Sequence, residues 1–127
     1  MKALLTITAT FEGITALSLI TIPMLFVSVL LGVPPTEPVG ILVCRLTGIA
    51  LLSLAIICWS YRTELDAGGI IKAMLFYNIA ASALLVYAWM TGFTGLGIWP
   101  ATSIHAGMAV WCVKSIQNRP AHKKEID

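Results

Sequence analysis

From Val39 to Tyr61 the chain reads VGILVCRLTGIALLSLAIICWSY, an apolar run with one full charge, Arg45, set inside it. A helix that crosses a bilayer needs about 20 predominantly apolar residues, and this run supplies them. Arg45 stands seven residues beyond Pro38. At about 1.5 Å of rise per residue it therefore sits roughly 10 Å below the surface where the helix starts. An arginine near the middle of a spanning helix costs about 2.5–3.5 kcal/mol on insertion scales, and such residues usually face a protein interior with a partner. The sequence thus predicts that Arg45 meets its partner in another span.

Composition supports a chain made mostly of such spans. It is 58% hydrophobic and 11% charged, against the roughly 25% charged residues of an ordinary soluble domain. Four apolar runs, about 4–31, 39–61, 70–91 and 96–115, are each near spanning length, and 116–127 forms a polar tail. The expected fold is an all-α, four-helix integral membrane bundle, a single membrane domain over 1–127. Lys2, Arg62, Lys72, Lys114, Arg119, Lys123 and Lys124 fall at the N-terminus, in the second connection or at the C-terminus, while 32–38 and 92–95 carry no lysine or arginine. The positive-inside rule then places both termini and the tail in the cytoplasm. The first run is about twice as long as a signal-peptide core and carries Glu12, so it reads as an uncleaved span. Pro23 predicts a kink or tilt within it.

Each span contributes one strongly polar residue: Glu12, Arg45, Asn78 and His105. At helical spacing, Thr8, Thr15 and Ala16 share a face with Glu12, Gly48 lies a turn from Arg45, Ala81 and Ser82 continue from Asn78, and Ala101, Ala109 and Cys112 line up with His105. Small and hydroxyl neighbours on all four faces predict a shared polar intramembrane network. Counted from the ends of their runs, Glu12 and Asn78 belong to the cytoplasmic half and Arg45 and His105 to the outer half, about 8–12 Å apart along the axis. A static network would fix helix register; a functional one would let Glu12 and His105 relay protons while Arg45 tunes them. Ala9 and Gly13, and Ser103 and Gly107, form small-xxx-small pairs that allow close helix approach or self-association.

Other chemistry finds too few ligands. Only His105 is an intramembrane histidine, His122 lying in the tail, so a bis-histidine haem is not expected. No cluster suits a zinc ion. Cys44, Cys58 and Cys112 are dispersed within spans and read as packing residues rather than a disulfide framework. The glycine-rich stretch TGFTGLGIWP follows no strand and lacks the lysine of a phosphate loop. The expectation is no cofactor, no metal and no enzymatic activity, and there is no folded basic surface for nucleic acid.

Glu12-Gly13, Pro23, Leu31-Gly32, Arg45-x-x-Gly48, Cys58-Trp59, Tyr77-Asn78, Trp99-Pro100 and His105 together resemble small, uncharacterised bacterial four-span membrane proteins. The resemblance covers nearly the whole chain and implies a bacterial inner membrane. In length and span number the chain is also similar to the small multidrug resistance transporters, whose first helix carries a proton-exchanging glutamate. Glu12 matches that position in outline, while the flanking motifs differ and Arg45 would repel a cationic substrate. It resembles DoxX-like proteins in size, without an alignable arginine-glycine motif in the first span. The resulting expectation is an inner-membrane accessory or interaction component with a static polar core, in contact with lipid and self-associating or joined to a larger complex. The alternative is a small proton-coupled transporter or channel using Glu12, Arg45 and His105.

Overall fold

The structure, a computed structural model, describes residues 2–64 and 66–118. These residues form five helices and no strand: α1 (Lys2–Thr21), α2 (Pro23–Leu31), α3 (Pro38–Ser60), α4 (Gly68–Met90) and α5 (Ile98–Gln117). Helices α1, α3 and α4 are long and apolar enough to cross a membrane. Helix α5 equals α1 in length, 20 residues, but carries Thr102, Ser103, His105, Lys114 and Gln117. Of the polar tail, Ile116 and Gln117 complete α5, Asn118 closes it, and 119–127 lie outside the described residues.

The first apolar run is broken rather than merely bent. Pro23 has no N–H, so the carbonyl of Leu19 loses its helical donor, and Ile22 leaves helical geometry at φ −131° and ψ 51°. A new helix begins when the Phe26 N–H finds the Ile22 carbonyl at 3.0 Å. Helix α2 ends on Gly32, whose left-handed φ of 86° lets its N–H reach the Ser28 carbonyl at 2.8 Å. Pro38 then opens α3 at the position where a missing N–H costs nothing.

Packing organises these helices as two hairpins. Helix α1 lies along α3, and α4 lies along α5. The first contact depends on Gly48, where a Cβ would stand 2.8 Å from the Ala16 carbonyl oxygen and 3.1 Å from the Leu19 Cβ. At the end bearing the 61–67 connection the hairpins share one core of Leu4, Leu5, Cys58, Ile71, Met74 and Cys112. In the other half a smaller cluster, Ala16, Leu19 and Leu51, belongs to the first hairpin. Helices α3 and α4 do not pack along each other, so the bundle splays away from the shared core.

The splayed end is closed by backbone contact. The Gly97 N–H donates to the Val29 carbonyl at 2.9 Å, and Gly95 presses so closely on Leu30 that a Cβ would fall 2.2 Å from the Leu30 oxygen. The 91–97 connection is thereby folded down onto the end of α2, and α5 starts inside the bundle with Ile98 fully buried. Trp89 and Trp99 meet edge to face at this end, ring centroids 5.1 Å apart. At the opposite end the Arg62 guanidinium stacks 3.8 Å over the Trp59 ring.

Polarity is inverted relative to a water-soluble domain. Leu42, Leu46, Phe76, Leu84 and Met90 are exposed, while Thr8, Glu12, Asn78, Thr102 and His105 are buried. Exposed apolar side chains in this number are rare on monomeric soluble proteins.

Candidate functional site

Glu12 projects from the middle of α1 with 1% of its surface exposed. Burial follows from its face, since Thr8, Ala9 and Ala16 are buried beside it and Gly13 sits close to Ala55 of α3. Its Oε2 accepts a hydrogen bond from the Tyr77 hydroxyl of α4 at 3.0 Å. Its Oε1 and the Thr8 Oγ1, one helical turn away, are buried without a hydrogen-bond partner among the described residues. One carboxyl oxygen is thus held by the second hairpin.

Asn78 and His105 form the second polar contact. The Asn78 amide nitrogen donates to the Met74 carbonyl at 2.8 Å, which turns Oδ1 toward the His105 Nδ1, also at 2.8 Å. Because an amide oxygen only accepts, the proton of this bond belongs to Nδ1. In the uncharged imidazole, Nε2 is then the acceptor. Phe11 and Tyr77 hold the ring edge to face, with centroids 5.7 and 5.6 Å from it. Tyr77 therefore touches both polar pairs, and Glu12, Asn78 and His105 form one neighbourhood.

The expected depth separation of Asn78 and His105 does not survive this contact. Counting from the ends of apolar runs treats all helix ends as level, whereas the 91–97 connection folds inward and lowers the start of α5. Arg45 departs further from expectation. The buried stripe of α3 runs through Gly48, Leu51, Ala55 and Cys58, and Arg45 lies off it, exposed. It borders a notch of about 300 Å³ left by the Ile22–Pro23 break, with Thr21, Met24 and Ile41. Glu12 is held by Tyr77 instead, and Arg45 does not join the polar core. A guanidinium at a helix break can reach toward the interface while its stem covers apolar surface, so the insertion argument did not require a buried acid.

Tyr77 was missing from the predicted network. Its signal was a tyrosine well inside an apolar run, where the hydroxyl must find a buried partner, rather than at a membrane interface.

Beside this neighbourhood the splay between the hairpins encloses a cavity of about 340 Å³. Its walls are largely apolar, with Phe11 and Leu19 on α1, Phe26 and Leu30 on α2, and Leu84 and Leu85 on α4. Its polar lining is Thr15, Thr47, Tyr77 and His105. Cys44 also lines it, whereas Cys58 and Cys112 are buried free thiols in the shared core. Among the described residues no group of three or more His, Cys, Asp or Glu is placed to hold a metal ion.

Fold and site together define an all-helical protein with three helices fit to cross a membrane and a buried polar centre. No protein-family model, curated protein or solved structure matches the chain.

Proposed function

We propose that this chain is a four-span protein of the bacterial inner membrane, with both termini cytoplasmic, serving as an accessory or interaction component whose polar core is a static clasp. The fourth span is α5. Its polar residues Thr102 and His105 are buried, while Ile104, Val110 and Val113 face outward, so its modest average hydropathy understates the apolarity of its outer surface. Tryptophans near both ends of the hairpins suit the two interfaces of a bilayer. Gly107 of α5 has open space around it, and Ser103 beside it is exposed. This small-residue face is available for a second copy or another membrane subunit.

The observation that carries the clasp is the Tyr77–Glu12 hydrogen bond, which ties one hairpin to the other across a splayed bundle. The free Glu12 Oε1 and Thr8 Oγ1 favour a second reading, a proton relay through Glu12. Native mass spectrometry of protein released gently from its membrane, combined with pH-driven flux in proteoliposomes, separates the two. A stoichiometric foreign subunit with no flux supports the accessory component. Partner-free protein whose flux is abolished by Glu12→Gln, with folding intact, overturns it in favour of the relay.

A further inference from the structure

We infer that the cavity between the hairpins is a binding site for an apolar chain carrying a neutral hydroxyl head, a prenyl or alkyl alcohol, whose O–H donates to Nε2 of the uncharged His105 ring. The inference goes beyond the accessory role and does not depend on it.

Three observations converge on this ligand. First, the cavity, at about 340 Å³, lies within the roughly 300–1,000 Å³ range of small-molecule sites, which are mostly apolar with a few placed polar groups. Second, its polar wall consists of Thr15, Thr47, Tyr77 and His105; the Thr47 hydroxyl bonds to the Val43 carbonyl and the Tyr77 hydroxyl to Glu12, which leaves Thr15 and His105 to meet a ligand. His105, 7% exposed, lines the cavity with Nδ1 committed to Asn78, and among the described residues no group bonds Nε2. The Met74 carbonyl fixes the Asn78 amide, the amide oxygen accepts from the Nδ1–H, and in the neutral tautomer that this selects, Nε2 is the acceptor. A ligand O–H satisfies that acceptor; an ether or hydrocarbon does not. Third, the cavity has a route from the lipid. Helices α3 and α4 do not pack along each other, and the lining residues Val43, Thr47 and Leu84 are exposed at this gap.

Depth decides against an ordinary phospholipid. A charged or zwitterionic headgroup stays at the membrane surface, whereas His105 lies seven residues into α5, roughly 10 Å along its axis. A single hydroxyl can be carried that far when one acceptor waits for it.

The test uses the full chain in nanodiscs, with farnesol and farnesyl methyl ether as probes, and binding read by native mass spectrometry titration and by the nitrogen-15 shift of His105 Nε2. Farnesol is expected to bind about tenfold more tightly than its ether, the scale of one added hydrogen bond, and to shift Nε2. His105→Phe keeps an aromatic ring and should abolish the preference while retaining binding of the chain. Leu84→Trp, an exposed position at the gap, should weaken both ligands, with thermal unfolding measured in parallel to show that the variant is folded. Equal affinity for alcohol and ether, an unmoved Nε2 resonance, or a resident phospholipid that neither probe displaces overturns the proposal. So does farnesol binding unchanged in a folded Leu84→Trp protein.

Discussion

Replacing Tyr77 by phenylalanine removes one oxygen and leaves the ring that packs 5.6 Å from His105. The hydroxyl is the hydrogen-bond partner of Glu12 Oε2 at 3.0 Å, and Oε1 has none. The variant therefore strands a 1% exposed carboxyl. Stranding a buried polar group costs about 1–3 kcal/mol, while interhelical hydrogen bonds in membrane proteins average about 0.6 kcal/mol because the unfolded chain in lipid also finds partners. The expected loss lies between these, about 1–2 kcal/mol. Glu12→Gln should cost less, about 0.5 kcal/mol, since the carboxamide oxygen accepts the same bond. Reversible unfolding in mixed micelles measures both, and a double-mutant cycle of Tyr77→Phe with Glu12→Leu should return a coupling near 1 kcal/mol. A Tyr77→Phe loss below about 0.3 kcal/mol, or additivity within that margin, would refute the clasp.

Other perturbations read the remaining contacts. Arg45→Leu should leave unfolding within about 0.5 kcal/mol of the parent, because the guanidinium is exposed and does not hold Glu12; a loss above 2 kcal/mol would return Arg45 to the polar core. Gly95→Ala forces a Cβ to 2.2 Å from the Leu30 oxygen and should destabilise by about 3 kcal/mol or more, visible in the same assay. Gly48→Leu should separate α1 from α3 and lower the unfolding midpoint, since even a Cβ there meets the Ala16 carbonyl at 2.8 Å. Gly107→Ile, in open space, should leave folding intact and remove any self-association seen by native mass spectrometry.

The helices were legible in the sequence because length and hydropathy act locally. The run 39–61 became α3 (Pro38–Ser60), the run 70–91 became α4 (Gly68–Met90), and Pro23 marked the disturbance that divides α1 from α2. The inward faces of Glu12, Asn78 and His105 were legible for the same reason: small neighbours one turn away mark the side on which another helix can approach. Partnership was not legible, because it depends on how whole helices slide and tilt. Asn78 and His105 meet because Gly95 and Gly97 let a connection fold onto α2, a long-range consequence of two missing side chains. Arg45 shows the converse error. The cost of holding its charge in apolar surroundings is real, and it can be met by reaching along a helix break toward the interface as well as by pairing. Electrostatic need therefore constrained where the arginine could not rest, while the shape left by Pro23 decided where it did. The same shape argument joins the break to the cavity: beyond the break at Ile22, Phe26 and Leu30 of α2 wall the space that His105 also lines. A residue that reads as a helix breaker is, in three dimensions, part of what shapes the cavity.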